Sequence, residues 1–210
     1  MSEQERSPSG RKLNLRARAL RQLETRDRIT RATVELHQQR GPLQTTITDI
    51  AQRAGVERLT VYRHFPDEAS LHEACQQHFF TAHPLPNLES WREISSLSAR
   101  LESGLRELYE YWEETQSMFS SVLRDHEVDP ERSGAAAVNF MSRAKEALLV
   151  GQDLSGSREQ VVAAAVGHAV NFYTWRSLVR DQGLSNADAV SMMYQFVIST
   201  MAPSKAHLEL

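Results

Sequence analysis

Side chains that can donate hydrogen bonds are concentrated in the short stretch from Arg58 to His64 (RLTVYRH). They follow Gly55 and a segment, 47–54, in which apolar residues recur at helical spacing. Such spacing predicts a helix with one buried face, and the glycine after it favours a left-handed helix end. Two short helices joined by a glycine turn, the second rich in donors, are typical of a helix-turn-helix that enters a DNA groove. An ordinary helical hairpin with a solvated face fits the spacing alone equally well.

The same stretch predicts where its two helices begin and which faces they bury. Thr46 is a residue type that caps helices, and Asp49 follows three positions later, where a carboxylate faces the amides of the first turn. Glu57 can cap the second helix, in which Val61 and Phe65 face the core. The donors of the second helix are then left at the surface.

Two further helices are predicted to position this pair. The first spans 20–39, with an apolar face that ends before Gly41. The second follows Pro66 and also carries apolar residues at intervals of three and four. Prolines within 83–87 cannot continue a helix, so we expect a joint there and a DNA-binding domain over residues 20–82.

Net charge is −3 over 210 residues, but basic residues are concentrated toward the N-terminus. Residues 1–80 hold 13 Lys and Arg against 10 Asp and Glu, whereas residues 81–210 hold 11 against 17. This asymmetry suggests that the N-terminal part meets phosphates. We interpret residues 1–19 as a flexible basic arm, which either lies along DNA or is a solvated tail.

Composition excludes several other classes of protein. Hydrophobic content of 40% and charged content of 24% are those of an ordinary globular protein. The apolar runs are too short for a membrane span, and the N-terminal residues include no apolar signal segment. Cys75 is the one cysteine, so an intrachain disulfide is excluded and we expect a cytoplasmic location.

A family resemblance is carried by Gly41, Thr46, Asp49-Ile50-Ala51, Ala54-Gly55-Val56, Thr60, Tyr62-Arg63-His64-Phe65 and Leu71, in this order and spacing. Together these residues resemble the N-terminal domain of the tetracycline-repressor (TetR) family of bacterial regulators, over about residues 25–80. The resemblance implies an all-α chain of about nine helices, in which a three-helix helix-turn-helix DNA-binding domain precedes a helical ligand-binding and dimerisation domain. It also implies a homodimeric repressor that binds a palindromic operator and is released by a small hydrophobic or aromatic inducer.

The resemblance also implies DNA contacts for eight residues. Thr46 and Tyr62 match positions that touch phosphates, and hydroxyl groups suit that role because they donate without demanding a particular base. Arg58 could bind a guanine bidentately, worth about 1–3 kcal/mol of discrimination. The positions near base edges are Thr48, Arg58, Leu59, Thr60 and His64, and Arg63 is expected nearer the DNA backbone.

Three residues depart from the family pattern. Glu68 stands where lysine is frequent, which removes a phosphate contact. Leu59 stands where a small residue is frequent, which affects how closely the helix approaches DNA. His37 replaces a common aromatic residue of the first helix and is expected to pack in the core.

Residues 88–202 predict a second helical domain, followed by a tail at 203–210. Apolar residues step by three or four from Trp91 to Thr115, which predicts a long amphipathic helix. Shorter helices are predicted at 118–124 and 131–153, with an acidic turn between them.

The last two predicted helices, about 157–181 and 186–201, carry apolar residues on two faces. A helix that is apolar nearly all round must be buried on both sides. We therefore expect these helices to form the homodimer contact, with a monomer that has a thick core as the alternative.

The second domain also offers an apolar and aromatic lining with a few polar groups, as small-molecule pockets do. His168 and Asn171 are the polar residues expected to orient a ligand. Side chains at this helical spacing are also what a plain core uses, so that alternative stays open for each residue. The candidate ligand-binding residues are Tyr109, Trp112, Met118, Phe119, Phe140, Met141, His168, Asn171, Phe172 and Trp175.

Other functions have weaker support. A metal- or redox-responsive regulator of the same fold would use His72, Cys75, His78 and His83, but these step around one helix instead of sharing a face, so we expect no metal and no cofactor. A nonspecific architectural DNA-binding protein would bind phosphates without discriminating sequence. The sequence has no phosphate loop, nucleophile elbow or paired metal motif, so we do not expect an enzyme.

Overall fold

The computed structural model describes residues 8–152 and 156–201, and the regular secondary structure in these ranges is helical. The prediction of an all-α protein is confirmed. In chain order the described helices are α1 (Pro8–Arg40), α2 (Ile47–Ala54), α3 (Arg58–His64), α4 (Glu68–Ala82), α5 (Leu88–Glu93), α6 (Leu97–Val128), α7 (Ala135–Leu149), α8 (Gly156–Ala169), α9 (Phe172–Arg176) and α10 (Asn186–Met201). A π-helical segment, Ser177–Asp181, continues α9. None of the helices described is long and apolar enough to cross a membrane.

The chain divides into two compact units between His83 and Pro84. In the N-terminal unit α1 packs on α2 and α4, and α2 packs on α3. All four helices contribute to one core, whose buried residues are Ile29, Ala32, Leu36, Ile50, Ala51, Ala54, Val61, Phe65 and Leu71. Full burial of Val61 alone is worth about 1.5–3 kcal/mol, so the core fixes α3 against the other helices.

Helix α1 begins at Pro8 and not near residue 20. The prediction of a flexible arm is therefore wrong for residues 8–19, and residues 1–7 lie outside the described part of the chain. Proline suits a first helical turn because its missing amide hydrogen has no partner there, and the Arg, Ala and Leu residues that follow are strong helix formers. Helix propensity outweighs the polar composition that favoured an arm.

The C-terminal unit is built around α6, which packs against α5, α7, α9 and α10. The predicted short helix at 118–124 and the turn starting at Asp125 are both wrong, because α6 is continuous to Val128. No glycine or proline interrupts residues 105–128. Within this stretch the Thr115 hydroxyl donates to the carbonyl oxygen of Tyr111, one turn earlier in the same helix.

Two boundaries in this unit also differ from prediction. Helix α7 starts at Ala135, after Gly134 adopts a φ of 78°. The predicted helix 157–181 is divided, because the side chain of Asn171 accepts a hydrogen bond from the Tyr173 amide at 2.8 Å and starts α9. Asparagine favours such a restart since its side chain competes with the helical backbone for donors. The predicted tail lies outside the described residues.

Candidate nucleic-acid interface and ligand site

Helix α2 starts with a reciprocal cap between Thr46 and Asp49. The Asp49 amide donates to the Thr46 hydroxyl oxygen at 3.2 Å, and the Thr46 amide donates to the Asp49 carboxylate at 3.0 Å. The Thr46 hydroxyl also donates to that carboxylate at 2.6 Å. These bonds hold the pKa of Asp49 below its usual value, with a smaller contribution from Arg40. Thr46 therefore has to release Asp49 before its hydroxyl can donate to a phosphate.

Gly55 forms the turn between α2 and α3. Its φ of 66° and ψ of 42° lie in the left-handed region, where a side chain is strained. The Gly55 amide donates to the Gln52 carbonyl and the Val56 amide to the Ala51 carbonyl, which satisfies the end of α2. The glycine turn predicted from sequence is present. Glu57 occupies the position before α3, but its side chain makes no capping hydrogen bond, so the expected cap is wrong.

Helix α3 buries one side and exposes the other. Val61 and Phe65 are buried in the core, as predicted. Leu59 is 56% exposed and Tyr62 is 43% exposed, although both are large and apolar enough to pack inside. Their exposure leaves them available to a partner. The exposed residues of α3 are Arg58, Leu59, Tyr62 and Arg63, with Thr60 and His64 half-buried at the edges.

The two remaining predicted DNA contacts lie at the start of α2. Thr46 and Thr48 are both exposed there. Helix α2 packs against α3 and α1, so its position relative to the exposed face of α3 is fixed by the shared core. Glu68 is exposed in the first turn of α4, next to the helix cap that Asp67 makes with the Ser70 amide at 2.7 Å.

Arg26 on α1 holds the C-terminal end of α3. Its guanidinium donates to the His64 carbonyl oxygen at 2.7 Å and lies 4.1 Å from the centre of the Phe65 ring. A cation at this place satisfies a carbonyl that has no partner within the helix and complements the negative end of the helix dipole. Residue type and spacing do not predict this role of Arg26, because the contact joins residues 38 apart.

Among the residues predicted to lie near base edges, His64 is a titratable one, and its surroundings shift its pKa. Partial burial and, to a lesser degree, the charge of Arg26 lower the pKa of His64 from its ordinary value. The imidazole is therefore neutral near pH 7, with one ring nitrogen that donates and one that accepts. Such a side chain can pair with either kind of base-edge group.

Two ion pairs brace α2 against α1. Arg40 contacts the Asp49 carboxylate at 2.9 Å, and Arg53 contacts Glu35 at 2.8 Å. Arg53 also donates to the Gln39 side chain at 3.2 Å. The basic residues in the second half of α1 and on α2 are thus partly neutralised within the protein.

In the C-terminal unit, seven of the predicted ligand residues are buried aromatic or methionine side chains. The Trp112 ring lies 4.6 Å from Phe119, 6.0 Å from Phe140 and 5.6 Å from Phe172, measured between ring centres. Trp175 lies 5.5 Å from Phe172. Met118 is also buried, and Met141 is half-buried on α7. We name the group Trp112, Phe119, Phe140, Phe172 and Trp175 the aromatic cluster.

Polar groups at the aromatic cluster differ in whether they have partners. The Tyr109 hydroxyl donates to the Ala169 carbonyl at 2.9 Å, and the Trp175 indole N–H donates to Asn186 Oδ1 at 2.9 Å. Trp112 is fully buried, and its Nε1 has no hydrogen-bond partner in the described structure. A buried donor without an acceptor is costly, by about 1–3 kcal/mol.

The two polar residues expected to orient a ligand have other partners. Asn171 uses its side-chain oxygen to cap α9. His168 is exposed on α8, with Nδ1 3.4 Å from the Thr174 hydroxyl and its ring 5.9 Å from Phe196. None of these contacts of Asn171 and His168 involves Trp112.

Cys75 and three histidines would be the responsive residues if the protein were a metal- or redox-responsive regulator. Cys75 is buried, 3.5 Å from Nδ1 of His37, and burial raises the pKa of its thiol to about 12. A protonated, buried thiol is the unreactive form. His72 is half-buried and pairs with Gln76 at 2.8 Å. Within the described ranges no group of three potential ligands is arranged to hold a metal.

The N-terminal geometry defines a helix-turn-helix DNA-binding protein, since a left-handed glycine joins two short helices and the second exposes a row of donors. The family model described as bacterial regulatory proteins of the tetR family matches residues 29–75, which contain α2, α3 and the core that holds them. The N-terminal unit therefore carries a helix-turn-helix DNA-binding domain that matches the tetR family of bacterial regulatory proteins.

Two solved structures share the fold over most of the chain. A tetR-family transcriptional regulator from Streptomyces coelicolor has a TM-score of 0.59 at 21% sequence identity, covering 84% of this chain and 82% of its own. A protein from Rhodococcus sp., named for the same family, has a TM-score of 0.53 at 20% identity, covering 85% of this chain and 100% of its own. A comparison with curated protein sequences finds no match.

Proposed function

We propose that this regulator is a homodimeric repressor that binds a palindromic operator and leaves it when a small hydrophobic or aromatic inducer binds. An apolar surface shared by α8 and α10 is the observation that carries the proposal. A single helix-turn-helix reads one half-site, and a two-fold dimer reads two half-sites about 34 Å apart, or a multiple of that distance.

The apolar surface consists of Val161 and His168 on α8 with Met192 and Phe196 on α10. Val161 and Met192 are each 53% exposed, and Phe196 is 42% exposed. Helices α8 and α10 pack together, and the His168 and Phe196 rings lie 5.9 Å apart, so the four residues form one surface. Apolar exposure of this kind supports an interaction site. A second copy of the chain fits it because two identical helix pairs can pack symmetrically.

The aromatic cluster supports the inducer part of the proposal. A ligand that occupies this region meets aromatic faces and one unpaired donor, Trp112 Nε1. The chemistry that matches is a flat aromatic or hydrophobic body with a single hydrogen-bond acceptor. Satisfying the buried donor also recovers the free energy lost by leaving it unpaired.

Repression and release follow from thermodynamic linkage between the binding of operator DNA and the binding of the inducer. An inducer that prefers a dimer conformation with wrongly spaced α3 helices must weaken operator binding by the same coupling free energy. Typical couplings of about 1–3 kcal/mol correspond to changes of about 5- to 150-fold in operator affinity.

The dimer is tested by sedimentation at micromolar concentration. Wild-type protein should sediment as a dimer, and Val161→Glu should shift it toward monomer because a charge would be buried in the contact. Val138→Glu is the matched control, since Val138 is an exposed valine on α7, outside the apolar surface. A wild-type monomer, or equal effects of the two substitutions, would contradict this assignment.

The inducer is tested with the DNA duplex that the protein selects from a randomised pool. Aromatic ketones, which carry one carbonyl acceptor, and the matching hydrocarbons are added, and release of the duplex is followed by fluorescence anisotropy. Release by the ketones should depend on Trp112, so Trp112→Phe should weaken it selectively. If no compound that raises the thermal unfolding midpoint also releases DNA, the inducer proposal fails.

A further inference from the structure

One line of residues runs along α1 from the core into the first half of the helix. Ile29, Ala32 and Leu36 belong to the buried core and are spaced three and four residues apart. The same spacing continued toward the N-terminus passes through Thr25 and reaches a pair of arginines. Residues with this spacing share a helix face. The line therefore changes from apolar to basic without leaving the face that packs on α2 and α4.

The pair consists of Arg18 and Arg21, which we name the basic pair. Both side chains are exposed. Arg26, further along α1, donates to the His64 carbonyl at the C-terminal end of α3. At 1.5 Å per residue, Arg21 lies about 8 Å and Arg18 about 12 Å along the helix axis from Arg26. The two arginines therefore lie on α1 beyond the point where Arg26 contacts the end of α3, on the side away from the core.

The charge of the basic pair is not neutralised within the described residues. Three other arginines of the unit, Arg31, Arg40 and Arg53, each contact a carboxylate at 2.9 Å or less. Arg18 and Arg21 make no ion pair with any residue that the structure describes. A surface whose cations lack internal partners, beside a helix that binds DNA, is matched by a row of phosphates.

We propose that the first half of α1 is a second DNA contact, in which Arg18 and Arg21 bind phosphates that flank the base pairs read by α3. About 12 Å of helix corresponds to three or four base pairs, because neighbouring phosphates of one strand are about 3.4 Å apart along the helix axis. The contact is sequence-independent and extends the operator footprint. It rests on DNA binding by α3, which is tested separately below.

Arg16 provides a matched control on the same helix segment. It is exposed and carries the same charge, but its spacing groups it with the exposed Leu20 and Leu23 on the other side of α1. Arg16→Gln removes one charge from the same stretch without touching the basic pair. If only the net charge of α1 mattered, removing Arg16, Arg18 or Arg21 would weaken DNA binding equally. If Arg18 and Arg21 contact phosphates directly, removing either should weaken DNA binding more than removing Arg16.

The experiment uses the full chain and the DNA duplex that the wild-type protein selects from a randomised pool, with either long flanks or flanks trimmed to the selected site. Affinity is measured over a range of salt concentrations. Each phosphate contact removed should lower the slope of log affinity against log salt by about 0.9. Arg18→Gln and Arg21→Gln should each lower the slope and weaken binding to the long duplex, by up to about eightfold per contact at 0.1 M salt. Arg16→Gln should change the slope and the affinity for the long duplex much less.

Trimming the flanks should weaken the wild-type protein and have little further effect on the double variant. Arg18→Lys with Arg21→Lys should restore most of the slope, because the charge is kept. Equal slopes for the Arg16, Arg18 and Arg21 variants, or wild-type affinity unchanged by trimming, would overturn the proposed contact. Tyr62→Ala separates the two interfaces: wild-type affinity in that variant would contradict the α3 interface and not the contact made by α1.

Discussion

Arg26 and His64 join α1, the longest helix described in the N-terminal unit, to the end of α3, the proposed DNA-reading helix, through one charged hydrogen bond of 2.7 Å. The same guanidinium lies over the Phe65 ring, so one side chain fixes both the last residue of α3 and the residue after it. Helix α3 has only seven residues, which is too short to be stable without such contacts. The orientation of α3, the proposed DNA-reading helix, therefore depends on a residue of another helix.

Replacing Arg26 with Gln should weaken operator binding and lower the free energy of unfolding by about 1–2 kcal/mol, because a charged hydrogen bond and a cation–π contact are lost. Thermal unfolding and DNA titration measure the two effects. Arg31→Gln is the control, since Arg31 is also exposed on α1 and pairs only with Asp27 in the same helix. Equal loss of affinity in both variants would show that the net charge of α1, and not the brace on α3, is responsible.

The contrast between Thr46 and Arg26 shows what the sequence could predict. The bonds between Thr46 and Asp49 join residues three apart, so residue type and spacing predict them. The contact between Arg26 and His64 joins residues 38 apart and needs the packed core to exist first. Local rules also predicted the glycine turn and the buried face of α1. They failed at residues 8–19, where helix propensity and polar composition gave opposite indications.

Arg100 is a second residue that spacing does not reveal. It is 3% exposed, and its guanidinium donates to the carbonyls of Ile94, Leu148 and Val150, which ties the start of α6 to the end of α7. Substituting methionine keeps much of the volume but leaves these carbonyls without donors. We expect Arg100→Met to cost about 3 kcal/mol or more, since each buried unsatisfied carbonyl costs about 1–3 kcal/mol.

Arg106→Met is the control for that substitution, because Arg106 is exposed on the same helix. It should change stability by less than about 0.5 kcal/mol. Denaturant unfolding followed by circular dichroism measures both variants. If Arg100→Met is as stable as Arg106→Met, the start of α6 and the end of α7 are held together by other contacts.

Trp112 and Trp175 form a natural pair for testing the unpaired indole. Both are fully buried, but Trp175 Nε1 has an acceptor in Asn186 and Trp112 Nε1 has none. Substitution by phenylalanine removes a similar volume at both sites. The difference therefore isolates the N–H group, and Trp175→Phe should be more destabilising than Trp112→Phe by about 1–2 kcal/mol. Equal losses in denaturant unfolding would indicate that Trp112 Nε1 has an acceptor in solution, such as a buried water.

The stability of the protein should fall as the pH is lowered from 7.5 to 5, and His72 should contribute to the fall. Burial lowers the pKa of His72 in the folded protein, whereas the unfolded chain titrates near 6.5. Below that value the unfolded state binds a proton that the folded state does not, so stability is full above pH 6.5 and is lost as the pH falls through the lower folded value. His64 shifts in the same direction. His72→Gln should therefore flatten the plot of unfolding midpoint against pH over this range, and an unchanged plot would show that His72 is as readily protonated in the folded protein as in the unfolded chain.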